Sequence, residues 1–188
     1  LGRFEPGPFR FPGGPALSIT AAAAVSAMAS AWDEGCEGLP YAHGRPALAL
    51  VSALVALSAS GPVDRTPSRS SVLSDVLSAL IAGYEVGARA GGWLRIQPGM
   101  HVDGNWPAIG VAAGVARLIG LDSRRCWNAV ALAACQLPTS LYLPIQTGDD
   151  ARNTYPAHAA TLGMQAALAS ASGITAPEQA LAHSPRDP

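Results

Sequence analysis

Three histidines stand where the chain changes from loop to predicted helix. His43 and His101 lie in loops just before helix starts, and His158 lies in the first turn of the last predicted helix, behind a polar loop that contains Arg152. Helix N-termini bind anions through free N–H groups and the helix dipole. A histidine or arginine beside such an end suits a carboxylate substrate. The fourth histidine, His183, lies near the C-terminus and receives no role.

Metal and covalent chemistry have little support in the residue spacing. No two histidines are four residues apart on one predicted helix, so no metal site is predicted. The three cysteines form no CxxC pair and fit small buried side chains in a reducing cytosol. All twelve basic residues are Arg, which leaves no lysine for a Schiff base. The Lys-free, Ala- and Gly-rich composition also suggests a GC-rich bacterial genome.

Composition indicates one globular domain. The 188 residues are 49% hydrophobic and 13% charged, which excludes intrinsic disorder. The net charge is -1 and no basic stripe is present, so nucleic acid is not expected as a partner. The best membrane candidate, residues 46–60, would form about 22 Å of helix against a bilayer core of ~30 Å. We therefore expect a cytoplasmic protein with no membrane partner.

Apolar runs of helical length, separated by Gly and Pro, predict an all-α protein. The expected architecture is a compact bundle of about six Ala- and Gly-rich helices, and no stretch alternates with the period of a strand. Gly91 and Gly92 are expected to end the third helix, and Asp122 or Ser123 to cap the fifth. Gly110 should let a neighbouring helix approach closely. The predicted helices are residues 16–32, 45–60, 72–90, 106–119, 124–136 and 156–172.

Three regions are distinguished along the chain. Residues 1–14 are predicted to form an irregular arm rich in Gly, Pro and Phe, residues 15–181 the helical domain, and residues 182–188 a tail. Each small side chain adds little to the stability of the fold, because burying apolar surface contributes about 25 cal/mol per Å² and a small side chain has little surface. Association with a second copy would bury additional apolar area. A homo-oligomer, and specifically a dimer, is therefore expected.

Four segments of the chain carry recognisable motifs. They are IAGYEVGAR (81–89), His101 followed by GNWPAIGVAAGVARLIGLD (104–122), RNTYPAHAATLG (152–163) and GITAPEQAL (173–181). In their order and spacing they resemble the MmgE/PrpD family, which includes 2-methylcitrate dehydratases, cis-aconitate decarboxylase and iminodisuccinate epimerases. The resemblance covers roughly residues 15–181, with a weaker match over residues 21–34. It implies the family's helical domain and a dehydratase-like lyase, or an isomerase, that acts on a small carboxylated metabolite of a biosynthetic pathway.

The resemblance also implies catalytic residues. His101 matches the family's loop histidine and is the expected acid–base group, while His43 matches a second active-site histidine less closely. Asp33 falls in the family's acidic pair, although it could equally end its helix. The family's chemistry moves a proton or carbon dioxide next to carboxylates without a metal. No metal and no other cofactor is therefore expected.

Three residues of the segment 152–163 are expected to bind substrate. Arg152 stands where many family members carry lysine, and its guanidinium can hold a carboxylate through two hydrogen bonds. It could instead pair with Asp149 or Asp150. Tyr155 falls where other members have histidine, and it could also be a core residue. His158 matches a less constrained position, where a structural role is the more common one.

Departures from the family pattern leave three interpretations open. Ala31 and Gly35 replace polar residues that the family carries beside its acidic pair. The family's second α/β domain has no counterpart in these 188 residues, which implies a half-open site. The chain could be a self-sufficient lyase or isomerase, a non-catalytic binding or partner subunit, or an inactive relic.

Overall fold

Seven α-helices account for most of the computed structural model, which describes residues 4–10, 14–60, 69–94 and 96–183. The predicted all-α class is confirmed. The helices are α1 (Ile19–Trp32), α2 (Pro46–Ala59), α3 (Arg69–Trp93), α4 (Pro107–Leu118), α5 (Ser123–Ala134), α6 (Leu143–Thr147) and α7 (Tyr155–Ala171).

Within these ranges, two short pairs of antiparallel strands connect loop segments at the edge of the bundle. β1 (Phe9–Arg10) pairs with β2 (Ala16–Leu17), and β3 (Met100–His101) pairs with β4 (Ser140–Leu141). The first ladder gives part of the predicted irregular arm a defined structure, and Phe9 is buried there. Residues 1–3, 11–13, 61–68, 95 and 184–188 lie outside the described ranges, together with the expectations that fall on them. No described helix has the length and apolarity that crossing a bilayer requires.

The third helix runs further than predicted. Gly91 and Gly92 do not end it, because α3 continues to Trp93. The reason is packing. A Cβ atom on Gly91 would stand 2.6 Å from Cε2 of Trp106, so the glycine makes room for a fully buried indole. The short α6 was not predicted; its start has Pro144 in the first turn, and Gly148 ends it with a positive φ.

Helix α4 lies at the centre of the bundle. Every residue from Pro107 to Ala116 is buried, and the helix packs against α2, α3, α5 and α7. Its sequence carries no polar side chain before Arg117, so no face of it needs water. The predicted cap of α5 is confirmed, because Asp122 accepts a hydrogen bond from the backbone N–H of Arg125 at 2.8 Å. Helices α3 and α4, packed against each other, fix the two ends of the loop that carries His101.

Glycines bring α3 and α4 into backbone contact. A Cβ atom on Gly110 would stand 2.7 Å from the carbonyl oxygen of Gly83 and 3.1 Å from the Cα of Gly87. Both distances are too short for a methyl group. The predicted close approach at Gly110 is therefore confirmed, and α3 is the helix that approaches.

We expect Gly110→Ala to lower the free energy of unfolding by about 1–3 kcal/mol, because the added methyl group must push two backbones apart. Chemical denaturation monitored by circular dichroism measures the change. Gly38→Ala is the matched control, since a Cβ atom there meets nothing within 4 Å. Equal stability of the two variants would contradict the close contact.

Candidate active site

Charged side chains from four separate segments meet at one end of the bundle. Glu34 follows α1, Arg45 precedes α2, Asp103 lies between β3 and α4, and Arg152 lies in the 3₁₀ turn Asp150–Thr154 before α7. With His101 we call these residues the arginine site. The helices α2, α4 and α7 each begin within a few residues of a member of this site. Their dipoles add partial positive charge at this end of the bundle.

The innermost contact is an ion pair between Arg45 and Asp103. Nη2 of Arg45 meets Oδ2 of Asp103, whose side chain is 3% exposed, while that of Arg45 is 14% exposed. Burial works against the charged guanidinium, but the hydrogen bond and charge of Asp103 outweigh it and raise the pKa of Arg45. The pair connects residues 58 positions apart in the chain. It fixes the segment before α2 against the His101 loop.

Arg45 is held in place by the start of α2. Pro46 occupies the first turn of the helix, and the carboxylate of Glu37 accepts a hydrogen bond from the backbone N–H of Ala47 at 2.6 Å. Burial raises the pKa of Glu37, although the Ala47 N–H opposes the rise. A carboxylate at this end of a helix also suits the helix dipole. The backbone that presents Arg45 is therefore anchored at both sides.

Glu34 bridges the two arginines. Its Oε2 accepts from Nη1 of Arg45 at 3.3 Å, and its Oε1 meets Nη2 of Arg152. Arg45 Nη1 also lies 3.2 Å from Sγ of Cys36. The backbone of Glu34 has φ +56°, a left-handed conformation that costs of order 1–3 kcal/mol in a residue with a side chain. Strain of this kind persists where surrounding contacts hold it.

The imidazole of His101 is oriented by the residue two positions later. Nδ1 accepts a hydrogen bond from the backbone N–H of Asp103 at 3.2 Å, and Oδ2 of Asp103 lies 3.9 Å from the same nitrogen. Because Nδ1 is an acceptor, the neutral ring carries its proton on Nε2. Burial lowers the pKa of His101, the charge of Asp103 opposes this, and Arg45 and Arg152 lower it further. The ring is therefore neutral near pH 7, with Nε2–H as its donor.

Aromatic rings and a ladder complete the surroundings of His101. The ring centroids of Tyr142 and Tyr155 lie 5.9 and 5.7 Å from that of His101. The Tyr155 hydroxyl donates to the carbonyl oxygen of Leu141 at 2.9 Å, which ties α7 to β4. The side-chain amide of Asn105 donates to the carbonyl oxygen of Pro138 at 2.7 Å. This hydrogen bond ties the segment after His101 to the segment before β4.

The structure brings some of the predicted site residues together and leaves others apart. His101, Arg152 and Tyr155 lie in or beside the arginine site. Asp33, His43 and His158 are exposed, and none of the hydrogen bonds or ion pairs found in the described residues involves their side chains. His43 ends the 3₁₀ turn Pro40–Ala42 with φ +53°. In the described ranges, no three His, Cys, Asp or Glu side chains are grouped as a metal site would require.

Sequence reasoning missed Arg45, Asp103 and the role of Glu34. The sequence pattern places Arg45 at the start of the second predicted helix, and it marks Glu34 only as the neighbour of Asp33. One signal was available for Asp103, which follows His101 at a spacing of two in a loop before a buried helix. Nothing local predicts its partner.

Comparison with known proteins agrees with the sequence motifs. The model of the MmgE/PrpD N-terminal domain family matches residues 2–185, nearly the whole chain. No curated protein sequence matches the chain. The family resemblance drawn from the motifs is thereby confirmed.

We expect Asp103→Asn to lower the free energy of unfolding by about 3–5 kcal/mol, because it removes the buried counter-charge of Arg45 and leaves only the half-exposed carboxylate of Glu34. Glu85→Gln is the control. It removes the same kind of charge from an exposed ion pair with Arg89, which should change stability by less than about 1 kcal/mol. Urea denaturation of both variants checks the difference, and similar losses would contradict a structural role for the buried pair.

We expect His101 to titrate below its ordinary pKa of about 6.5. Burial and two neighbouring guanidinium groups disfavour its protonated form. Between the lowered pKa and about 6.5 the unfolded chain binds a proton that the folded chain does not, so this residue makes stability rise with pH. Nitrogen-15 NMR of the imidazole, assigned with His101→Gln, gives both the midpoint and the protonated nitrogen. A midpoint above 6.5, or a neutral ring protonated on Nδ1, would contradict this geometry.

Proposed function

Because this chain belongs to the MmgE/PrpD family, we propose that it acts on a small carboxylated metabolite as a lyase, by dehydration or decarboxylation, or as an isomerase. The observation that carries the proposal is the joining of an oriented histidine and two arginines in one site. Arginines hold carboxylates, and a histidine moves a proton. The proposed chemistry uses these side chains and no metal or other cofactor.

His101 is the proposed acid–base group. Its Nδ1 is engaged by the Asp103 backbone, so proton exchange with a substrate takes place at Nε2. In the neutral ring, Nε2–H donates a hydrogen bond to a hydroxyl or to negative charge that develops on an enolate oxygen. Transfer of the Nε2 proton to a departing hydroxyl requires the cationic ring, which carries its second proton on Nδ1 and gives up the hydrogen bond from the Asp103 N–H. The Asp103 carboxylate, with an oxygen 3.9 Å from Nδ1, stabilises that cation.

Arg152 is the proposed carboxylate anchor. Its Nε is buried and has no hydrogen-bond partner, while Nη2 meets Glu34. A carboxylate that contacts Arg152 through both nitrogens satisfies the unpaired donor, and such paired hydrogen bonds are stronger and more directional than single ones. The unsatisfied Nε therefore favours a carboxylate ligand at this position.

Large exposed apolar side chains lie close in sequence to residues that form or contact the site. Trp32, Tyr142 and Leu143 are exposed, at the end of α1 and around the start of α6. Excluding water would strengthen every electrostatic contact between the arginine site and a substrate. The proposed activity therefore needs a covering surface, from a second copy of the chain or from another domain. A cytoplasmic homodimer stays a prediction.

We expect His101→Asn to abolish turnover while acid binding remains, and Arg152→Gln to raise KM by about tenfold or more with a smaller effect on kcat. Proton NMR in D₂O, with a panel of di- and tricarboxylic acids, follows all three reactions together. Dehydration replaces the signals of the hydroxylated and neighbouring carbons by that of a vinylic proton, decarboxylation replaces a carboxylate by deuterium with release of carbon dioxide, and epimerisation exchanges a C–H for C–D.

The matched controls are His183→Asn, in the C-terminal 3₁₀ turn, and Arg89→Gln, on the exposed side of α3. Both should react at the wild-type rate. Wild-type turnover by His101→Asn would remove the histidine from the mechanism. A folded wild-type chain that neither binds nor converts any acid would favour a partner-dependent subunit or an inactive relic.

A further inference from the structure

Glu34 occupies the position between the two arginines where a ligand carboxylate would be held. Each of its oxygens meets a different guanidinium, Oε1 that of Arg152 and Oε2 that of Arg45. A free carboxylate would make the same two contacts. The structure thus contains an internal carboxylate in contact with both cations of the arginine site.

The fit of Glu34 to the arginines is incomplete. Arg152 contacts it through Nη2 alone, and the buried Nε of Arg152 has no partner. The Glu34 side chain is 52% exposed, so solvent reaches much of it. Its backbone is in the left-handed region at φ +56°, which disfavours the conformation that brings the carboxylate here. A free carboxylate carries none of this backbone strain and can use both nitrogens of Arg152.

We propose that Glu34 is an internal ligand of Arg45 and Arg152 that a substrate carboxylate must displace before it can bind beside His101. This rests on the proposed function in one respect, which is that the arginine site accepts a carboxylate. The ligand class is a small organic acid with at least one carboxylate free to lie between two guanidinium groups.

The rest of the site is built to survive the displacement. Arg45 keeps its second nitrogen on the buried Asp103 when Nη1 releases Glu34, so its guanidinium does not lose its position. His101 is held by the backbone of Asp103 and not by Glu34. Glu34 itself follows the last turn of α1 and precedes Gly35, where a Cβ atom would meet nothing closer than 4.0 Å. Because half of the Glu34 side chain is already exposed, its carboxylate can turn outward into solvent.

The test compares succinate binding by the wild type and by Glu34→Gln, using isothermal titration calorimetry. If Glu34 occupies the site for most of the time, its removal should tighten succinate binding by roughly three- to thirtyfold. Glu34→Gly is the second variant, because it also removes the carboxylate and tolerates the positive φ. Glu85→Gln, which neutralises an exposed glutamate paired with Arg89, should bind as the wild type does. Adding Arg152→Gln to Glu34→Gln should cancel the gain.

The outcomes separate this inference from the proposed function. Tighter binding in both Glu34 variants, lost on removing Arg152, supports displacement. If the wild type binds succinate through Arg152 and both Glu34 variants bind equally or more weakly, the internal-ligand proposal is overturned and the carboxylate site stands. If no variant binds succinate or any acid of the activity panel, both are overturned.

Discussion

The buried ion pair between Arg45 and Asp103 is the contact on which the rest of the site depends. Removing two charges from water costs several kcal/mol per ion, so such a pair is weak evidence of stabilisation for its own sake. Here it determines geometry. The Asp103 side chain fixes Arg45, and its backbone N–H fixes the ring of His101. One residue therefore sets the distance between a cation and an acid–base group that belong to separate segments.

A core of small residues makes that precision possible. Glycines at the contact of α3 and α4 bring two backbones together, and α4 is buried over nearly its whole length. Close-packed interiors resist small displacements. The loop that carries His101 joins β3 to α4 and is pinned by Asn105 as well. The rigid interior thus positions the more exposed edge at which Glu34 and Arg152 meet.

The sequence predicts the helices of this protein better than it predicts the candidate site. Apolar runs between Gly and Pro predict most helices, since burial follows local periodicity. His101 and Arg152 are found because their residue types and family motifs mark them. The pairing of Arg45 with Asp103 joins positions 58 apart, and no local pattern encodes it. Asp33 and Glu34 differ even more subtly, because the helix end and one positive φ direct the second carboxylate toward the two arginines.

Charge balance supports the proposal that this site takes a carboxylate. Arg45 and Arg152 together face Asp103 and Glu34, two cations against two anions. When Glu34 turns outward, a bound carboxylate restores the balance, whereas a neutral ligand leaves the second guanidinium without a counter-charge in a partly buried place. Unpaired buried charge costs far more than an exchange of one carboxylate for another. In the structure Glu34 compensates both arginines, and in the proposed displacement it would do so until a substrate carboxylate takes its place.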